Sequence, residues 1–294
     1  MIQKIRYLIE NIKLLFKPVI VNAFVFYDES GAVRHENWGD DINYYFLNTI
    51  VKRPIVIFNR CSFANRLGLK NYLCIGSVID MLCKPNSEVW GSGIIDGDKT
   101  LRVKPKKVYA VRGPLTRQKL LSEGVECPEV YGDPALLVAK YYQPKVENKY
   151  KYGFISHVSN QDKIKEITID GMAIKDRSDV LIIDLSRYDK WTDIPDQICS
   201  CENIISGSLH GLIMAEAYKI PNVWVEFGKP LIGGHFKFHD FLLSIGSDRE
   251  NPVAIKNKKI ESKVIDKALS SWKPGSIDLQ PLINACPFAI NLRK

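Results

Sequence analysis

Apolar residues recur at helical spacing over the first seventeen positions: Ile2, Ile5, Leu8, Ile9, Ile12, Leu15 and Phe16, with Lys4, Arg6, Lys13 and Lys17 between them. The spacing predicts an amphipathic helix over 1–17, ended by Pro18. Short apolar runs then alternate with helical stretches. Strands are predicted at 19–27, 54–59, 71–79, 88–94 and 106–113, with a helix at 41–51 and another that opens at Pro114 and closes at Gly124. The polar stretch YYQPKVENKYKY at 141–152 interrupts this rhythm and reads as an interdomain linker. A second series follows, with strands at 152–158, 179–186, 203–208 and 222–227 and helices near 191–199 and over 209–219. Alternating strands and helices predict an α/β fold built on parallel sheets. Two Rossmann-like domains facing across a cleft are expected, at 1–145 and 150–272, with a segment at 273–294 packing back on the first. Ligands in such sheets sit beyond the carboxyl ends of the strands.

Composition narrows the picture. The chain has 294 residues, 46% apolar and 25% charged, which is globular rather than disordered. No run approaches ~18 consecutive apolar residues, so no spanning helix is predicted. Charges recur through the amino-terminal segment, which does not read as a signal peptide. The net charge of +8 asks for an anionic substrate, an anionic membrane surface or nucleic acid. Nucleic acid fits worst, because the late lysines (Lys256, Lys258, Lys259, Lys263, Lys267) lack interleaved aromatics or a known module. Seven cysteines, an odd number in mostly apolar surroundings, predict free thiols in a reducing, cytoplasmic setting. Cys199-x-Cys201 has no second Cys/His pair at zinc-site spacing, so no metal site is expected.

Four constellations lie at predicted strand-to-helix junctions. In Asn37-Trp38-Gly39-Asp40-Asp41, Gly39 permits close approach and an Asp caps the following helix. Gly91-Ser92-Gly93 with Gly97 resembles a phosphate-cradling loop, but misses the dinucleotide spacing by one residue and is read as lining the cleft. Arg112 leaves a strand at its carboxyl end, where a guanidinium suits carboxylate or phosphate, and Asp133 sits in the turn Gly132-Asp133-Pro134. The run Ser206-Gly207-Ser208-Leu209-His210 ends a buried strand and opens an apolar helix. A helix amino terminus lowers a histidine's pKa and a bound anion raises it, so His210 is poised for proton transfer.

In this order these segments resemble the polysaccharide pyruvyl transferase family. The resemblance rests on N-W-G-D, V-R-G-P-L-T-R followed by Y-G-D-P-A-L-L, S-G-S-L-H-G-L-I-M-A-E-A-Y-K-I-P-N-V-W and the later FKFHDFLLSIG, and covers roughly residues 35–247. It implies a two-domain fold like that of GT-B glycosyltransferases. It also implies transfer of pyruvate from phosphoenolpyruvate onto two hydroxyls of a sugar or lipid-linked oligosaccharide in a capsule or exopolysaccharide precursor, giving a cyclic ketal. No cofactor is implied beyond phosphoenolpyruvate as donor substrate.

By resemblance His210 is the catalytic histidine. Many members carry Arg two residues earlier, where this chain has Ser208. The cation for the donor is therefore expected from Arg112 or Lys237. Asp40 or Asp133 is expected to orient the sugar or act as base. His157 is a further candidate, and Asn37, Gly39, Gly91, Gly93, Ser206, Ser208 and Leu209 are expected around the substrates. The helix over 1–17 either rests on anionic headgroups at the inner face of the membrane or packs on the first domain. Two rival readings are a glycosyltransferase using a nucleotide sugar, with Asp184 or Glu226 on the ribose, and a non-catalytic glycan-binding relative.

Overall fold

The computed structural model describes residues 9–228 and 231–291. The first eight positions of the predicted amino-terminal helix, including Lys4 and Arg6, lie outside them. Residues 9–12 are helical and Lys13–Phe16 is a 3-10 turn, ended by Lys17 in the left-handed region at φ 49° ahead of Pro18.

Two five-stranded parallel sheets organise the α/β fold. The first comprises β1 (Val19–Val21), β2 (Ile55–Ile57), β3 (Asn71–Leu73), β4 (Ser87–Trp90) and β5 (Lys107–Ala110), in the order β2-β1-β3-β4-β5. The second comprises β6 (Tyr150–Ile155), β7 (Val180–Ile183), β8 (Cys201–Ser206), β9 (Asn222–Glu226) and β10 (Val253–Ala254), in the order β7-β6-β8-β9-β10. Strands β1 and β2 are buried throughout, as their uninterrupted Val/Ile runs require of a sheet covered on both faces. Six helices matter below: α1 (Trp38–Ile50), α2 (Ser62–Arg66), α3 (Pro114–Ser122), α4 (Asp193–Cys199), α5 (Leu209–Ala217) and α6 (Phe236–Ser244).

Three expected elements change shape. The strand expected over 19–27 leaves the sheet after Val21, and Phe26–Tyr27 pairs instead with Val33–Arg34 in a small hairpin. The Asn22 side chain donates to the Leu82 carbonyl at 2.7 Å, holding the departing chain. The strand expected over 71–79 stops at Leu73, because Gly76 adopts φ +98° and Ile79–Leu82 forms a helical turn. Helix α1 starts three residues earlier than expected, at Trp38, capped by Asn37 rather than by an Asp: the Asn37 side chain accepts from the Gly39 N–H at 3.2 Å.

One apolar cluster runs through both sheets, taking in Trp38, Phe46, Leu185, Ile213, Trp224 and Leu282. Trp38 ties the two sequence halves together: its backbone N–H donates to the Leu185 carbonyl and its indole N–H to the Trp191 carbonyl. Late residues return to the first sheet. The Trp90 indole donates to the Leu282 carbonyl at 2.8 Å, and Phe288 packs edge-on against Tyr72 and Trp90.

Candidate active site

The carboxyl end of β8 and the amino end of α5 are joined by a tight turn. Ser206 Oγ accepts from the Ser208 N–H at 3.1 Å and donates to the Ser208 carbonyl at 2.9 Å. A side chain at Gly211 would strike Ser206 Oγ, so the small residues here serve this turn. It delivers His210 to the first turn of α5, against the first turn of α1. A Cβ at Gly39 would lie 1.9 Å from His210 Nδ1, so only glycine lets the two helix starts meet this closely. Gly76 closes the other side, 3.9 Å from His210 Cε1 by the same construction. Its loop is held by Asn43, which bonds both the N–H and the carbonyl of Ile75.

Between these elements lies a cavity of about 330 Å³. Of the expected site residues, Asn37, Asp40, His157, Ser208, Leu209, His210 and Lys237 line it. The amino ends of α1 and α5 both open onto it, so two positive helix termini converge on one space.

The charged groups here are poorly compensated. Lys237, on α6, is 6% exposed and makes no hydrogen bond or ion pair among the described residues. Burial brings its ammonium down to about 8, against the partial support of Asp40. Asp40 accepts from Asn37 Nδ2 at 2.6 Å, and burial lifts its carboxyl to about 6. Burial, followed by the nearby Lys237 and Arg112 charges, lowers His210 to about 3, so the imidazole is neutral near pH 7. Its Nε2 is buried with no hydrogen-bond partner. His157 is lowered to about 4 by burial and then by Lys237, and its Nδ1 turns to Ser159. An unpaired buried cation beside an unpaired buried imidazole nitrogen costs stability that a purely structural cluster would avoid.

Other expected site residues lie behind the lining. Arg112 is fully buried rather than offered to a ligand. Its Nε donates to Asp240 at 3.0 Å, Nη1 to Ser77 Oγ and Nη2 to the Ile94 carbonyl at 2.9 Å. Asp240 is completed by the backbone N–H and hydroxyl of Thr116. Gly93 leaves room for this guanidinium, since a Cβ there would meet it at 2.3 Å. Gly91, at φ +87°, clears Pro134. Asp133 is sealed beneath the cavity, accepting from the Ala135 N–H at 3.0 Å and the Gly76 N–H at 3.4 Å, with burial lifting its carboxyl to about 6. Ser206 shapes the turn described above. Asp240 sits one helical turn after Lys237, so the Arg112–Asp240 pair fixes the register of the helix that presents the cavity's cation.

Sequence reasoning did not find Glu36, Ser77, Met81 or the hairpin residues Phe24 and Phe26, which also line the cavity. Phe24, Phe26 and Ser77 lie in segments that look like ordinary strand until the chain bends, and Glu36 and Met81 lie between the expected elements. Among the described residues no three His, Cys, Asp or Glu side chains form a metal-binding group, and no helix is long and apolar enough to cross a membrane. Asp184 is taken up by the backbone and hydroxyl of Ser186, and Glu226 by His235 at 2.7 Å; neither lines the cavity.

Residues 89–227 match the model of the polysaccharide pyruvyl transferase family. The segment contains Arg112, Asp133, His157 and the Ser206–His210 turn, while Asn37, Asp40 and Lys237 lie outside it. An uncharacterized protein, L143, of Acanthamoeba polyphaga mimivirus is 28% identical over 222 residues, covering 74% of this chain and 74% of its own length. Succinoglycan biosynthesis protein ExoV of Rhizobium meliloti (strain 1021) is 28% identical over 222 residues, covering 72% of this chain and 63% of its own length. The matched segment carries the turn that places His210 in the cavity, and through it this chain is similar to the polysaccharide pyruvyl transferase family.

Proposed function

We propose that the chain transfers pyruvate from phosphoenolpyruvate onto two hydroxyls of a sugar in an exopolysaccharide or capsule precursor, forming a cyclic ketal. One observation carries the reading: a single cavity holds a buried cation without a hydrogen bond or ion pair among the described residues, Lys237, and a buried imidazole nitrogen without a hydrogen-bond partner, His210 Nε2. The family match over residues 89–227 supports the reaction class, and the relative's description as a succinoglycan biosynthesis protein supports a polysaccharide acceptor. In this reading the two sequence halves act as the facing lobes of a GT-B-like enzyme, working at the cytoplasmic side where such precursors are built.

The residues divide the work as follows. The donor's carboxylate and phosphate are held by Lys237 and the amino ends of α1 and α5. Their negative charge raises the basicity of His210, which then delivers a proton to the methylene carbon of the enol. The adjacent carbon gains cationic character, a sugar oxygen bonds to it, and the hydroxyl proton passes to Asp40. Phosphate leaves, and the second hydroxyl closes the ketal at the same carbon, releasing its proton. The products are the ketal and inorganic phosphate. Asn37 keeps Asp40 aimed into the cavity. Phe26, half exposed beside the hairpin turn, offers an aromatic face to the acceptor sugar.

The test is phosphate release from phosphoenolpyruvate across a panel of free and lipid-linked glycans, with formation of the ketal followed by mass spectrometry. Release of nucleoside diphosphate from a nucleotide sugar, with phosphoenolpyruvate untouched, would replace this reading with a glycosyltransferase.

A further inference from the structure

The first sheet has a strongly charged edge, at the end of its strands opposite the cavity. Carrying the Val19–Ile55 register back two residues sets Lys17 level with Arg53, next to Lys52. Carrying the Val21–Tyr72 register back two residues sets Lys70 beside Val19. Lys84 occupies the turn that enters β4, its N–H bonded to Ser87 Oγ. Lys106 donates its N–H to the Ser87 carbonyl at 2.8 Å, with Lys104 before it and Lys107 opening β5. Every strand of the sheet is thus entered through an exposed cation, and the loops bearing them are stitched together at Val19–Pro54, Asn71–Asn86 and Asn86–Gly68.

Acids offset little of this. Glu88 is buried between Lys70 and Tyr109, Glu10 is paired with Lys13, and Glu126 stands exposed at one end. A concavity of about 760 Å³ lies at that end, walled by Lys104, Lys106 and Lys107. At the other end large apolar side chains face solvent. Leu15 is 80% exposed, Phe16 65% and Leu67 66%, with Phe63 exposed on α2 beside them. The two segments that carry them are joined by Asn11, which bonds Ser62 and the Phe63 N–H.

We propose that this amino edge docks on an anionic lipid bilayer. The cations meet the headgroups as a row, and Leu15, Phe16 and Leu67 enter the interface at one end. A polyanion such as nucleic acid would use the charge, but would leave Leu15 and Leu67 in water. The surface is separate from the cavity and rests on neither the donor nor the reaction proposed above. It shares Lys17, Leu15 and Phe16 with the sequence-based membrane reading of residues 1–17 and goes beyond it, since the row runs across all five strands.

The experiment is co-sedimentation of the full chain with phosphatidylcholine vesicles, with and without phosphatidylglycerol. The wild type is expected to bind only the anionic vesicles and to be partly released by salt. Changing Lys17→Glu, Arg53→Glu, Lys84→Glu and Lys106→Glu together is expected to weaken binding by roughly a hundredfold or more, each cation contributing about a factor of five. Leu15→Ser with Phe16→Ser should remove the salt-resistant part. Circular dichroism confirms that the variants fold, and phosphate release on a soluble acceptor should be unchanged, which separates this edge from the cavity. Equal binding to neutral vesicles, unchanged binding by the four-fold variant, or tighter binding to duplex DNA than to anionic vesicles would overturn the proposal.

Discussion

Two charged clusters lie within one turn of α6 of each other and are built on opposite terms. Around Asp240 every polar group is answered: Thr116, Ser77 and the Ile94 carbonyl close a network around Arg112 and Asp240, both fully buried. Around Lys237 almost nothing is answered. Its ammonium makes no hydrogen bond or ion pair among the described residues, only a contact over the Phe238 ring 5.5 Å from its centre, and His210 Nε2 is left without a hydrogen-bond partner. The closed network specifies where α6 lies on the first sheet. The open one holds groups whose cost is recovered only when an anion arrives. Residues of the same chemical type, an Arg and a Lys, therefore belong to scaffold and site respectively, and their partners tell them apart.

The largest expected break comes from His210→Ala. Turnover should fall by about three orders of magnitude, the usual scale for a lost proton-transfer group, with the urea midpoint unchanged. Phosphate release near the wild-type rate would remove His210 from the chemistry.

Next comes Asp240→Ala, which strands a buried guanidinium. Unfolding free energy should drop by about 3–5 kcal/mol in a urea titration, and the KM for phosphoenolpyruvate should rise as α6 loses its register. Lys237→Met sharpens the contrast. It should raise that KM by about ten- to a hundredfold, while leaving the unfolding free energy the same or higher, because it removes a buried charge that Asp40 offsets only in part and no ion pair answers. A destabilised Lys237→Met protein, or a stable Asp240→Ala protein, would collapse the distinction between the clusters.

The smallest effect is in the pH profile. Lys237, lowered to about 8, is charged below that pH, and Asp40, raised to about 6, is ionised above it. The value of kcat/KM should therefore fall on the acid side of about 6 and on the alkaline side of about 8. Asp40→Asn should abolish the acid limb at a lower plateau, and Lys237→Met the alkaline limb.

Most of the α/β alternation was legible, because buried parallel strands announce themselves as short runs of Val and Ile. The His210 turn was legible too, from small residues between an apolar strand and an apolar helix. Lys237 was named as a source of cation through resemblance, but nothing local distinguishes it from a surface lysine. Arg112 was expected to hold the donor, whereas its guanidinium is bonded to a partner 128 positions away, and no local pattern shows that such a group already has one. Gly91 and Gly93 looked like an anion loop. They are glycines because Pro134 and Arg112 press against them, a tertiary demand that produces the same sequence mark. The strand expected over 71–79 failed at Gly76, where one left-handed residue redirects the chain toward His210.

The return of the late residues to the first sheet has a consequence for biogenesis. Trp90 reaches its carbonyl partner 192 positions downstream, and Phe288 covers Tyr72 from the same stretch. At ~5–20 residues per second of synthesis, the first sheet waits roughly ten to forty seconds on the ribosome before these contacts can form. During that interval the aromatic face around Tyr72 and Trp90 is open to chaperones, and it is closed only after nearly all of the described chain has been made.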